Sequence, residues 1–188
     1  MKYAARRADR IREYGKERIM ELHLQSHHFT HRLPDWRAAA LAGLVAGTVF
    51  IVMELLVVRF LMYQGAWGTV TMVAAIVLGR DALMAPAPPA WLVVGAALVV
   101  HYALSIVLAT VLAALITAFR LDSGYALALG TGIVFGALVY VVNFYGLVRF
   151  FPWFNEARSV ESLFAHMVFG LMAAGAYKHL ERHPPDPM

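Results

Sequence analysis

Four long apolar runs, at residues 37–62, 91–119, 125–148 and 160–180, dominate the chain. Each reaches the ~20 residues that a helix needs to cross a bilayer at about 1.5 Å per residue, so the pattern predicts an all-α membrane protein of four transmembrane helices. A further run, 66–79, is as apolar but only 14 residues long, which suits an interfacial or re-entrant segment. Pro86, Pro88 and Pro89 then punctuate the approach to the second long run. Ahead of the first run, residues 3–24 place Ala4, Ala8, Ile11, Ile19 and Leu22 on one face at helical spacing, which predicts an amphipathic helix interrupted at Gly15. Leu33-Pro34-Asp35 breaks the chain, with Asp35 placed to cap the first span. The resulting division is a tail over 1–36, a transmembrane domain over 37–180 and a short C-terminal tail over 181–188.

Composition agrees with a surface that faces lipid. The chain is 61% hydrophobic and 15% charged, against roughly 25% charged residues in an ordinary soluble domain. It has no cysteine, which excludes disulfides, thiolate metal sites and thiol nucleophiles. Residues 1–37 hold nine Lys/Arg against five acids, whereas the other 151 residues balance at seven against seven. A basic tail before the first span predicts a bacterial inner-membrane protein with N- and C-termini in the cytoplasm. Lys2, Arg6, Arg7, Arg10 and Arg12 point to anionic lipid head groups or a protein partner at the tail. Nucleic acid is not expected, because acids interleave the basic residues and aromatics are few there. The polar stretch before the first apolar run does not have the form of a cleavable signal peptide. His23, His27, His28 and His31 close the tail with two i,i+4 pairs, readable as a surface metal site or as solvated histidines near a helix end.

The spans carry an internal repetition. Gly43-x-x-x-Gly47 is followed seven residues on by Glu54, and Gly132-x-x-x-Gly136 is followed seven residues on by Asn143. Both runs end in Val-Arg-Phe, at Val58-Arg59-Phe60 and Val148-Arg149-Phe150. The second span carries His101, Ser105 and Ala109; the fourth carries His166, Gly170 and Ala174 at the same spacing. These matches predict two parallel two-helix repeats, 37–119 with an insertion at 65–88, and 125–180. If the short apolar segment crossed the bilayer, the halves would be inverted; similarity along one direction favours four spans and a pseudo-twofold axis along the membrane normal.

Positions i, i+4 and i+11 of a helix fall within about 40° of one another. Glu54 therefore shares the Gly43/Gly47 face and Asn143 the Gly132/Gly136 face, where small residues let helices approach. Four spans put Glu54, His101, Asn143 and His166 at one level, in the half of the bilayer away from the tail. Polar groups there are costly and functional by default. Four readings follow: interhelical hydrogen bonds alone, a divalent metal on Glu54, His101 and His166, a haem b held by His101 and His166, or proton or small-solute transfer through Glu54. Arg59 and Arg149 mark equivalent helix ends, and the run Phe150-Phe151-Pro152-Trp153-Phe154 fits an interfacial aromatic belt. No Gly-x-Ser-x-Gly nucleophile motif and no pair of intramembrane aspartates is present. The functional expectation is an accessory or assembly subunit of a larger membrane complex or a homo-oligomer, with a metal- or haem-binding protein and a small dimeric transporter as alternatives.

The stretches Asp35-Trp36-Arg37-Ala38-Ala39, Ala42-Gly43-Leu44-Val45-Ala46-Gly47, Met72-Val73-Ala74-Ala75-Ile76-Val77-Leu78-Gly79, Val142-Asn143-Phe144-Tyr145-Gly146, Phe151-Pro152-Trp153-Phe154 and Phe164-Ala165-His166-Met167-Val168-Phe169-Gly170 form a recognisable set. Together they resemble a family of small four-helix proteobacterial inner-membrane proteins often labelled "sodium:proline symporter", over about residues 35–182. The resemblance implies the membrane class and an acid and two histidines matching Glu54, His101 and His166. The activity in the label conflicts with the span count, since symporters of that kind combine many more spans with discontinuous helices.

Overall fold

The computed structural model describes residues 33–60, 67–84 and 88–182; the expected amphipathic helix, the tail histidines and the last C-terminal residues lie outside them. The described chain is helical throughout: α1 (Trp36–Phe60), α2 (Trp67–Leu78), α3 (Ala90–Ala118), α4 (Tyr125–Val141) and α5 (Val160–Leu180). A 3-10 turn, Arg80–Leu83, follows α2, and α4 continues into a π-helical turn over Val142–Gly146 and a 3-10 turn over Leu147–Arg149. Four helical stretches are long and apolar enough to cross a membrane: Trp36–Val57, Ala90–Ala118, Tyr125–Arg149 and Val160–Leu180. At 12 residues, α2 is about 18 Å long and falls short of the ~30 Å hydrocarbon core.

Local signals account for the ends. Asp35 caps α1: its Oδ1 accepts the N–H groups of Arg37 and Ala38 at 3.1 and 3.0 Å. Ser159 caps α5, its Oγ accepting the Ser162 N–H at 3.1 Å. Both satisfy helix donors that have no partner within the helix.

The helices meet in the order α4–α5–α1–α3–α2, with α5 packed along α4 and α1, and α1 along α3. Their shared core holds eight alanines, Ala38, Ala39, Ala42, Ala46, Ala109, Ala113, Ala173 and Ala174, with Leu112, Ile116, Phe135, Val139, Phe169 and Tyr177 filling the rest. Large apolar side chains point outward instead: Trp91 is 76% exposed and Val99 70%. In water this would be inverted; against lipid tails it is the expected surface. A twofold relation between the helix pairs would make the α1–α5 and α3–α4 contacts equal. They are unequal, since α1 lies along α5 while α3 and α4 barely touch. The pseudo-twofold axis is therefore corrected to a side-by-side arrangement of the two pairs.

Contacts between neighbours fix their directions. Glycines 43 and 47 face residues 106 and 101 in reverse order, and glycines 132 and 136 face residues 174 and 166 likewise. Each pair is antiparallel, and because the start of α1 meets the end of α5, α1 and α4 run the same way. At one end, the Asp35 N–H donates to the Tyr177 hydroxyl at 3.3 Å, and that hydroxyl bonds Thr117 Oγ1 at 3.2 Å. The Arg182 N–H reaches Asp35 Oδ2 at 3.3 Å. The start of α1 and the ends of α3 and α5 are thereby gathered at one face of the bundle. α2 instead packs along the first half of α3, through Ala74, Val93 and Ala97. Its other side receives Trp153, whose Nε1–H donates to the Met72 carbonyl at 3.1 Å.

Two outcomes are expected. Single cysteines replacing Ser123 and Asn155, both exposed, should react with an impermeant maleimide from opposite sides of sealed vesicles; reaction from one side would require a different span count. The Ala38 N–H above all, with those of Arg182 and Arg37, holds the Asp35 carboxyl below its ordinary range against an opposing effect of burial. A lowered folded-state pKa means that the stabilisation is present above the unfolded value of ~3.9 and is lost as pH falls through the folded value. Asp35→Ala should thus cost about 1 kcal/mol at neutral pH, measured by thermal unfolding in detergent, and the gap from the unaltered protein should narrow as pH falls through the lowered carboxyl pKa.

Candidate functional site

Two glycine contacts build the centre of the molecule. A Cβ on Gly43 would stand 2.7 Å from Ile106 Cα and from the Ser105 carbonyl; one on Gly47 would meet Ser105 Oγ at 2.6 Å. In the other pair, a Cβ on Gly136 would land on the His166 carbonyl, and one on Gly132 would strike the Gly170 carbonyl and lie 2.7 Å from Ala174 Cβ. Gly170 is closed in turn by the Gly132 carbonyl and by Gly136 N at 2.9 Å. Of the five expected packing glycines, Gly43, Gly132, Gly136 and Gly170 sit where two helix backbones touch, and Gly47 sits against the Ser105 and His101 side chains.

This proximity places the imidazoles. His101 bonds the Gly47 carbonyl through Nε2 at 2.9 Å. A carbonyl only accepts, so Nε2 carries the proton and Nδ1 the lone pair of the neutral ring. Ser105 Oγ is 3.5 Å from the same nitrogen, and Thr48 Oγ1 pairs with the Tyr102 hydroxyl at 3.1 Å one residue along. His166 adopts the opposite tautomer. Its Nδ1–H donates to the Ser162 carbonyl at 2.7 Å, which leaves Nε2 to accept from Asn143 Nδ2 at 3.2 Å. Phe50 touches both rings, with centroids 5.6 Å from His101 and 5.2 Å from His166. Tyr140 and Phe144 close around His166 at 5.8 and 5.6 Å.

Asn143 reaches His166 from the π-helical turn. Such a turn adds a residue to the helical repeat and leaves carbonyls without an i+4 donor. Arg158 answers one of them: its Nη2–H donates to the Phe144 carbonyl at 2.6 Å, while the guanidinium covers the Tyr145 ring at 4.1 Å.

The expected four-residue cluster thus forms only in part. Asn143 and His166 are bonded, and Phe50 links His166 to His101. Glu54 makes no hydrogen bond or ion pair with either histidine. It borders instead a cavity of about 240 Å³ between α1, α2 and α3, lined by Phe50, Leu55, Val70, Val73, Leu98 and His101 among others. Among the described residues, no group of three His, Asp or Glu side chains is arranged to hold a metal ion, which corrects the divalent set of Glu54, His101 and His166. A haem between the histidines would need two ring nitrogens with free lone pairs facing one iron. His101 Nε2 is a donor to Gly47, His166 Nε2 accepts from Asn143, and Phe50 stands against both rings. The residues present do not fit a haem at His101 and His166.

Phe50, Tyr140, Phe144 and Arg158 were not expected at the site. Phe50 carried a readable signal, because it lies on the Gly43–Gly47–Glu54 stripe three residues after Gly47. Arg158, in a loop before a helix cap, carried none.

The glycine contacts yield a matched test. Gly136→Ala should destabilise the protein by about 1–3 kcal/mol, as overpacking does. Gly130→Ala, on the same helix with nothing within 4 Å of the added carbon, should be neutral or slightly stabilising. Thermal unfolding of both variants in one detergent checks the contrast.

No family model matches the chain, and no curated protein or solved structure shows similarity to it.

Proposed function

We propose that the chain is a non-catalytic inner-membrane subunit, an accessory or assembly component of a larger membrane complex. In this reading the bundle consists of two parallel helix pairs, α1 with α3 and α4 with α5, the α2 region being an insertion into the first. The equivalent glycine-to-histidine contacts in both pairs support the duplication. The nine basic residues before α1 support a cytoplasmic N-terminus and a tail that docks on anionic lipid or on a partner. The C-terminus shares that side, because residues 33 and 182 leave the bundle at the same face. The resemblance of residues 35–182 to small inner-membrane proteins is consistent with the same role.

One observation carries the reading: His101 is bonded across to the Gly47 carbonyl of α1 and Asn143 across to His166 of α5, while the other nitrogen of His166 is held by the Ser162 carbonyl of its own helix. Groups engaged in this way specify a bundle and leave no ring nitrogen pair for redox or hydrolytic chemistry. Interhelical bonds of this kind contribute ~0.6 kcal/mol on average and up to ~1.7 in membrane proteins.

The protein purified from its host membrane in mild detergent should migrate as an assembly larger than its own dimer. It should show no Soret band and less than stoichiometric divalent metal. Asn143→Leu should lower the unfolding midpoint by the equivalent of about 1 kcal/mol and leave the spectrum unchanged. A haem spectrum, or one metal per chain lost on His101→Ala, would overturn the proposal.

A further inference from the structure

The cavity beside Glu54 has a composition that the helix-fastening role does not explain. Its wall draws Phe50, Ile51 and Leu55 from α1, Val70 and Val73 from α2, and Val94, Ala97 and Leu98 from α3. Three polar residues border it: Glu54, Thr69 and His101. Glu54 is half-buried and makes no hydrogen bond or ion pair with the described residues. A carboxylate held in such surroundings without a partner is destabilising, and the position seven residues beyond Gly47 could carry an apolar side chain without disturbing the glycine contacts.

The chemistry of the wall narrows what would complement it. Glu54 stands at the edge of an otherwise apolar wall, and an ionised carboxylate is an acceptor only. A primary ammonium has three N–H donors, and the remaining lining suits an apolar body. Among the described residues, no lysine or arginine lines the cavity. A ligand that brings its own anion, such as a zwitterionic amino acid or a phosphoethanolamine head group, would leave that charge unmatched in a site of low polarity. A bare divalent cation requires several oxygen ligands or a His/carboxylate set, and none is assembled among the described residues. At about 240 Å³, the space lies below the ~300 Å³ at which pockets for drug-sized ligands begin, so the occupant is small.

We propose that this cavity binds a small lipophilic amine in its protonated form, the ammonium paired with the Glu54 carboxylate and the apolar body against Val70, Val73, Val94 and Leu98. The ligand is a free monoamine rather than a lipid head group or an amino acid. This goes beyond the subunit role above and does not depend on it, because the histidine and asparagine bonds that fasten the helices stay in place when the cavity fills.

Three probes that share a phenyl ring separate the contributions: phenethylamine as its hydrochloride, 3-phenylpropan-1-ol as a neutral counterpart, and phenylalanine, which adds a carboxylate to the amine. Each is titrated calorimetrically at pH 7 into the full chain in detergent micelles, with protein-free micelles as the blank. Phenethylamine should bind saturably with one site per chain, and at least tenfold more tightly than the alcohol or phenylalanine. Glu54→Gln should weaken amine binding at least tenfold and leave the alcohol unchanged, whereas Glu54→Asp should retain part of the amine preference. Equal binding of amine and alcohol would reduce the cavity to an apolar hole and overturn the proposal. Binding of phenylalanine as tight as that of the amine would overturn the class of ligand, and the absence of saturable amine binding would overturn the site. If Glu54→Gln does not fold, the probe series on the unaltered protein and on Glu54→Asp decides the matter alone.

Discussion

Contact between helix backbones, without intervening side chains, is the constraint on which the rest of this structure depends. Apolar side chains gain little by leaving lipid for one another, so membrane helices associate through close packing and through hydrogen bonds between them. Here such contacts occur at Gly43 against α3 and at Gly132 and Gly136 against α5, while Gly47 admits the Ser105 and His101 side chains to the surface of α1. The surrounding core is accordingly built of alanines rather than of large interlocking side chains. Leu112 and Ile116 of α3 are among its large exceptions and are fully buried.

The polar interactions follow from that approach. His101 can bond the Gly47 carbonyl because no Cβ holds α3 away from it. His166 meets Gly136 through its backbone instead, and its ring turns to Asn143 and to its own helix at Ser162. Closely apposed backbones therefore expose carbonyls to side chains of the facing helix, and a histidine on that face has an acceptor within reach. The opposite tautomers of the two rings record which acceptor each found. Phe50 then fills the space between the pairs, touching both imidazoles and Phe169, so the two glycine contacts are mechanically joined through one aromatic ring.

Much of this was legible in the chain because lipid imposes simple rules. Run length identified the four spans, and α5 begins and ends where the apolar run does, at Val160 and Leu180. The i, i+4, i+11 stripe put Gly43, Gly47, Gly132 and Gly136 at helix contacts and Asn143 on the face that meets His166, and the small-residue spacing after His166 did the same for Gly170. What could not be read depends on departures from an ideal helix and on unequal packing. The π-helical turn at Val142–Gly146 shifts the register by which Asn143 reaches inward, and no local propensity in Val-Asn-Phe-Tyr-Gly announces it. Arg158 acquires its role only once that turn leaves the Phe144 carbonyl free. The side-by-side placement of the pairs, rather than a twofold one, arises where α5 meets α1, an interface that no repeated motif describes.

The difference between Glu54 and Asn143 shows how similar positions come to differ. Each lies seven residues beyond the second glycine of its stripe, so helical geometry alone would aim both at the histidine of the neighbouring helix. After α4 the chain tightens into the π-helical turn, and Asn143 meets His166. α1 has no such turn and continues as a regular helix to Phe60. In addition, α2 lies along the first half of α3, so the space beyond Glu54 is bounded by a third helix rather than closed by direct contact. The result is a helix-fastening amide in one pair and a carboxylate beside a cavity in the other. An amide is satisfied by neutral partners, whereas a carboxylate in apolar surroundings needs a proton or a cation. The residue type at each position therefore matches the environment that the neighbouring helices create for it.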